Sequence, residues 1–295
     1  MSENASTTIK PPSPLNDLMD LTKPRLSSLV LVTAGGGLWL SQMDVGWVQG
    51  LAAVLGTTFV VGGANALNCY LERDSDKLMA RTAVRPLPSG RMEPKTALIF
   101  GLILSLISVP TLTLLTTPLA GLLAAIALLI YVLVYTPLKR YSAVSTLIGA
   151  IPGAMPPLIG WTAASGTLDT GGLVLFFLLF LWQIPHSLAI SIFRQKEYAQ
   201  AGLWVFSNDY GLDSTRTHIL VYTIPLVGIP AVLWNLGIAN WATVISGATI
   251  GGWMLWQAFD GWHHKKGEVW ARKLFFTTLI YLSALFATLT IDQWL

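Results

Sequence analysis

Between residues 62 and 91 the chain reads GGANALNCYLERDSDKLMARTAVRPLPSGR, and most of its potential chemistry is concentrated there. Asn65, Asn68, Glu72 and Asp76 follow one another at intervals of three or four residues, the spacing that lines one face of an α-helix. Two carboxylates four residues apart sit about 6 Å from each other along a helix. Amides precede them, and Arg81 and Arg85 follow before Pro86 and Pro88 stop any helix. Oxygen ligands of this kind suit a divalent metal such as Mg²⁺, and paired guanidiniums suit the phosphates that such a metal carries. Asp74 falls on another face and is expected to be solvated. The competing reading is an ordinary wet loop with surface ion pairs. The four-residue spacing and the two asparagines still inside the apolar run argue against it.

The elements that hold this face belong to a membrane protein. Of 295 residues, 53% are hydrophobic and 11% charged, with 12 tryptophans, and the mean hydropathy is +0.60. Soluble domains carry about 25% charged residues. Nine stretches of about 20 apolar residues are each long enough for a hydrocarbon core of about 30 Å. They run over 26–43, 48–70, 96–115, 118–136, 143–163, 171–193, 218–236, 240–261 and 273–292, with seven spans as the fallback. Only TTP (116–118) separates the third from the fourth, which predicts a tight helical hairpin. The fifth contains Pro152, Pro156 and Pro157, which remove backbone donors and predict a kinked or broken span. Residues 1–13 read as a disordered polar tail without a signal-peptide core, and LNDLMDL (15–21) as a short interfacial helix.

Charge fixes the orientation. All 18 Lys and Arg lie before the first span or in the loops that follow even-numbered spans. The opposite loops hold only Asp44, Asp169 and Asp292. The positive-inside rule then puts the N-terminus in the cytoplasm and the C-terminus outside. This pattern accounts for the basic pI better than a nucleic-acid partner does, and no nucleic acid is expected. Glu72, Asp76, Arg81 and Arg85 at the bilayer centre would cost roughly 10 kcal/mol together, so they must sit at the cytoplasmic end of the second span or line a wet cavity there. The single cysteine, Cys69, excludes an intrachain disulfide and is expected to be a packing residue. His186, inside the sixth span and three residues after Gln183, is an intramembrane ionisable group and so a functional candidate. Set against this, a lone helix histidine is more often a hydrogen-bonded core residue.

Four stretches then match a known pattern: LTKPRL (21–26), NCYLERDSD with RTAVRPLPSGR (68–91), YTPLKRYSAVSTLIGAIPGAMPPLIGW (135–161) and LWQIPHSLAISIFRQKEYAQAG (181–202). Together they resemble the UbiA-type intramembrane prenyltransferases, and within them the branch that farnesylates haem, across residues 20–292. The loop after the sixth span departs from the wider family, which carries a second aspartate-rich motif there. This chain has Arg194 and Tyr198 instead, beside Lys196 and Glu197, a departure shared by the haem branch. Asp209 and Asp213 lie too far downstream to replace that motif. Two further departures, Ser187 after the Pro-His pair and LWVFS after the Ala-Gly pair, bear on how substrate is seated.

The resemblance implies an all-α, polytopic membrane helix bundle with about nine transmembrane helices around a central cavity open to the cytoplasm. It implies a cytoplasmic tail (1–22) and one prenyltransferase domain (23–295) in a bacterial inner membrane. The implied substrates are farnesyl diphosphate and haem b, joined with addition of water to give haem O and diphosphate, with Mg²⁺ as cofactor. A haem A synthase or the terminal oxidase assembly is a candidate protein partner. The implied catalytic set is Asn68, Glu72, Asp76, Arg81 and Arg85, with Glu72 and Asp76 on the metal. Asn65, Lys23, Lys139, Arg140, His186, Arg194, Lys196 and Tyr198 would contact substrate, His186 contacting the haem. A quinone-precursor prenyltransferase of the same fold and a membrane transporter are the alternatives. Polar groups gathered at one surface, without paired broken helices or an internal repeat, argue against transport. A CDP-alcohol phosphotransferase would need a D-G-x-x-A-R signature that the chain lacks.

Overall fold

A computed structural model describes residues 13–292 as helices joined by short turns, with no strand among the described residues. Most of the expected polar tail lies outside these residues. A short helix, α1 (Pro14–Leu21), precedes nine long ones: α2 (Pro24–Leu40), α3 (Trp47–Asp76), α4 (Pro94–Leu115), α5 (Pro118–Leu138), α6 (Ser145–Ser165), α7 (Thr170–Phe193), α8 (Gly211–Asn235), α9 (Trp241–His263) and α10 (Glu268–Asp292). Seven of them, α3 to α8 and α10, are long and apolar enough to cross a membrane, and α2 contributes a shorter apolar segment, Ser27–Leu40. In α9, four tryptophans and four glycines dilute the aliphatic content. The chain is an integral membrane helix bundle.

Local sequence sets the helix ends. Pro occupies the first turn of α1, α2, α4 and α5, where a missing N–H costs nothing. The expected α4–α5 hairpin is present, and its turn is closed by Thr117 Oγ1, which accepts from Ala120 N at 3.1 Å. Two acidic residues of the loops opposite the basic ones serve as caps. Asp169 accepts from Gly172 N at 3.1 Å at the start of α7, and Asp292 accepts from Asn240 N at 2.8 Å beside the start of α9. The short helix α1 is held by its buried Asp17, whose carboxylate receives Arg91 at 3.0 Å from the loop after α3.

Of the kink or break expected in the proline-rich fifth span, the break is absent: α6 runs unbroken through Pro152, Pro156 and Pro157. Neighbours confine it tightly: 67% of its apolar stretch is buried. Glycines bring α2 and α6 backbone to backbone. A Cβ on Gly37 would meet the Pro157 carbonyl at 2.0 Å, and one on Gly160 the Ala34 carbonyl at 1.9 Å. Close packing of this kind supplies contacts that offset the lost backbone bonds.

The apolar core falls into two large parts, one among α6 to α10 with Leu40 of α2, the other among α3 to α6. The face of α3 that carries Asn68, Glu72 and Asp76 is turned inward between them.

Candidate active site

A cavity of about 420 Å³ lies at the charged ends of the helices, with Lys23, Asn68, Glu72, Asp76, Arg81 and Arg85 in its wall, as well as Tyr131, Tyr135, Lys139, Gln183, Ser187, Ser191 and Tyr198. The helical spacing on α3 therefore does what its sequence suggests, and Asn68, Glu72 and Asp76 are all buried. Each is held by a cation from another segment. Lys23 Nζ donates to Asn68 Oδ1 at 2.9 Å, Lys139 Nζ to Glu72 Oε1 at 2.9 Å, and Arg85 Nη1 to Asp76 Oδ2 at 2.7 Å. Asn68 adds a second side-chain hydrogen bond to the Glu72 carboxylate, while Asp76 is bonded through Oδ2 to Arg85. Arg81 reaches the cavity from an exposed position.

Lys23 reaches Asn68 from a left-handed backbone conformation (φ 53°), an uncommon geometry for a non-glycine residue and one that Pro24 further restricts. A strained residue at a cavity wall is the pattern seen where side-chain direction matters. Burial lowers the Lys23 ammonium below its ordinary range, and the positive charges of Arg85 and Lys139 add to that. Burial opposes the Lys139 charge as well, yet Tyr135 and Glu72 outweigh it and hold Lys139 well above its usual value. Burial raises the Tyr198 phenol, which stays a neutral donor.

Several cavity residues escaped the sequence reading. Tyr131 and Tyr135 point inward because α5 passes through a π-helical turn over Ile130–Tyr135, a distortion frequent at functional sites. Thr136, in the next turn, accepts from Asn68 Nδ2 at 3.1 Å and so fixes the amide that faces Lys23. Gln183 and Ser191 join Ser187, already singled out as a departure that bears on substrate seating, in a neutral polar stripe on α7, and the i, i+4, i+8 spacing was the available signal.

Other expected site residues lie away from this cavity. Asn65 is buried one turn deeper, donating to Thr22 O at 3.3 Å and accepting from the Tyr131 hydroxyl at 3.4 Å. It lines a separate apolar pocket of about 100 Å³ that shares Tyr131 and Gly153 with the main cavity. Arg140 is exposed and donates to Leu71 O at 2.9 Å. Arg194 pairs with Glu197 at 2.7 Å, and Lys196 is exposed. His186 faces α10, stacked between Trp182 and Phe275 at ring-centroid distances of 4.8 and 4.6 Å. Its Nδ1 lies 2.8 Å from Thr278 Oγ1. That hydroxyl donates its proton to Phe275 O at 2.6 Å, so in the neutral ring Nδ1 is the donor and Nε2 keeps its lone pair.

The donor set fits a Mg²⁺ ion of the kind that takes one or two carboxylates and completes its shell with water and phosphate oxygens. Glu72 and Asp76 both line the cavity wall. No cluster of three or more His, Cys, Asp or Glu able to hold a metal occurs among the described residues, so a cage built wholly from protein is not what this site offers.

Known proteins agree with this architecture. The model of the UbiA prenyltransferase family matches residues 29–280. A protoheme IX farnesyltransferase of Myxococcus xanthus is 48% identical over 286 residues, covering 96% of each chain. The protoheme IX farnesyltransferase of Anaeromyxobacter dehalogenans is 45% identical over 98% of both. Among solved structures, a digeranylgeranylglyceryl phosphate synthase superposes with a TM-score of 0.79 at 17% identity, over 94% of this chain and 98% of its own. A UbiA homologue from Archaeoglobus fulgidus bound to DMAPP and Mg²⁺ gives 0.63 at 14% identity, over 93% and 99%. These last two speak for the fold alone. The chain belongs to the UbiA prenyltransferase family.

Proposed function

We propose that the chain transfers a farnesyl group from farnesyl diphosphate to a vinyl group of haem b, adds water, and releases haem O and diphosphate. The observation that carries the reading is the wall of α3, where two buried carboxylates line the cavity together with four cations, Lys23, Arg81, Arg85 and Lys139. Near full-length identity to proteins named protoheme IX farnesyltransferase supports the choice of haem as acceptor. Nine helices cross the inner membrane of a bacterial cell as one domain (23–295). The N-terminus lies in the cytoplasm, the C-terminus outside, and the cavity opens to the cytoplasm.

In this reading Glu72 and Asp76 hold Mg²⁺, which when bound neutralises part of the diphosphate charge. Arg81 and Arg85 bond phosphate oxygens, where a guanidinium makes two parallel bonds at once. Lys23 and Lys139, already at the cavity wall, add single point charges. Asn68, oriented by Thr136, donates to the same group. Stabilising the leaving diphosphate favours ionisation of the allylic C–O bond, the kind of electrostatic preorganisation that dominates many enzymatic rate enhancements. The apolar pocket beyond Tyr131 and Gly153 keeps water from the farnesyl cation. Asn65 bridges that pocket to Tyr131. Tyr198 donates its phenolic proton from the opposite wall, and Arg140, Arg194 and Lys196 draw anionic groups, the haem propionates included, towards the cavity mouth. His186, beside the cavity rather than in its wall, contacts an edge of the haem that reaches past the wall towards α10, with Thr278 fixing the ring.

Expression in a membrane supplied with haem and farnesyl diphosphate, followed by mass analysis of the pigments, tests the reading. Haem O is the expected product. A prenylated quinone precursor in its place, with haem unchanged, would overturn the acceptor assignment.

A further inference from the structure

The cavity's polar groups divide by what they can do for a water molecule. Lys23, Arg81, Arg85 and Lys139 are donors only. Glu72 and Asp76 are acceptors, but they belong to the diphosphate end. A water that attacks a carbocation must turn its lone pair to the carbon and its protons to an acceptor. That acceptor must lie away from the cationic roof, which repels a second positive centre.

Gln183 meets these conditions. It lies ten residues before the end of α7 at Phe193, so about 15 Å below the charged end of that helix. Its Nε2 donates to Leu179 O at 3.1 Å, with Ala150 O at 3.5 Å. Both neighbours are carbonyls, so the amide can only be oriented with nitrogen towards them and Oε1 away. Oε1 accepts no hydrogen bond among the described residues, and Gln183 lines the cavity. Room for the oxygen depends on Gly153, where a Cβ would fall 1.9 Å from Gln183 Oε1. Gly153 also belongs to both the polar cavity and the apolar pocket, so the oxygen sits at the boundary where an isoprenoid chain meets the wet chamber.

We infer that Gln183 is the positioning residue for the water that completes the product, an inference that rests on the farnesyl transfer proposed above. The allylic C–O bond breaks and its electron pair leaves with the diphosphate. The vinyl π pair then forms the new C–C bond, which leaves a cation on the carbon attached to the macrocycle. The water held by Oε1 closes the C–O bond, and its surplus proton passes to the released diphosphate. Without that water the same cation discharges by losing a proton from the adjacent CH₂, giving an alkene one water lighter than the hydroxylated product.

The test reads the ratio of hydroxylated to dehydrated farnesyl porphyrin in whichever product forms, by mass spectrometry, with wild-type membranes alongside. In Gln183→Met, which keeps the bulk and removes the acceptor, the dehydrated share should rise by about tenfold or more. In Gln183→Glu, which restores an acceptor oxygen, the ratio should return towards wild type. If Gln183→Met yields no product, the same ratio is read in Gln183→Asn, whose amide is withdrawn by one carbon, and a rise there is expected. An unchanged ratio in the readable variant overturns the assignment, as does a shift in Ser187→Ala with none at position 183. Wild-type membranes that make no farnesyl porphyrin at all would instead refute the proposed function.

Discussion

Two helices face each other across the cavity and present their polar residues in opposite ways. On α3 the stripe is charged, and every functional group is clamped by a partner from elsewhere in the chain: Lys23 on Asn68, Lys139 on Glu72 and Arg85 on Asp76. On α7 the stripe of Gln183, Ser187 and Ser191 is neutral, while the ionisable residue of that helix, His186, is turned out of the cavity and clamped by Thr278 on α10. The α3 wall suits a polyanion and a metal, because carboxylates and cations are gathered on it together. The α7 wall suits an uncharged, apolar partner that needs few and well-placed hydrogen bonds. The same pocket can thus hold a highly charged donor and a flat aromatic acceptor, because desolvated charge is confined to one side.

Breaking the charged wall should have the largest effect. Glu72→Ala or Asp76→Ala should lower prenyl transfer by about 10³-fold or more, with the protein still present in membranes at normal levels. Retention of full activity in either variant would remove the metal assignment. Arg85→Lys keeps the charge and loses the fork, and a drop of about 10²-fold in diphosphate release is expected. A loss no greater than in a distant surface variant such as Arg272→Lys would show that Arg85 serves Asp76 alone.

The α7 wall is sharpened by separating His186 from its support. His186→Ala should reduce haem retention by the purified protein, measured by absorbance after gel filtration. Thr278→Val removes only the bond that orients the ring and should cost about 1 kcal/mol of thermal stability with a smaller loss of haem. Equal haem retention in His186→Ala and wild type would leave His186 as a strut between α7 and α10.

The smallest effect concerns pH. Lys23 has a lowered pKa, so it loses its charge before the other cavity cations as pH rises, whereas Lys139, raised above its usual value, stays charged. Affinity for inorganic diphosphate with Mg²⁺ should therefore weaken a few-fold on the alkaline side, roughly the worth of one screened charge. In Lys23→Arg that limb should move to higher pH, since a guanidinium does not titrate there. A limb that stays in place would trace the loss to another group.

The difference between the walls also explains what could be read without coordinates. The α3 face was legible because charge inside an apolar run is costly and so stands out, and because its spacing fixes a common side. The nine long helices fall close to the apolar stretches for the same reason. Position along α7 was equally legible, but rotation about its axis was not. His186 and Ser187 differ by about 100° around the helix, and in a segment apolar on every side no periodicity marks which one faces inward. Arg140 and Lys196 obey the charge rule, but that rule assigns only a side of the membrane and is silent on distance to a cavity. The π-turn that aims Tyr131 and Tyr135, and the continuity of α6 through three prolines, depend on packing against neighbouring helices.

By itself the sequence determined the class of molecule, the clustering of its basic residues in alternate loops, the shared carboxylate face of α3 and the approximate positions of its helices, since each follows from local spacing or from the cost of placing charge in hydrocarbon. Tertiary structure alone decided the partners: which cation meets which carboxylate, which edge of α7 faces the cavity, and that Gly153 leaves room for the Gln183 oxygen. Apart from the Arg85–Asp76 pair, nine positions apart, those outcomes depend on contacts between residues 33 to 92 positions apart, and the rotation and separation of packed helices are set by side chains on both of them.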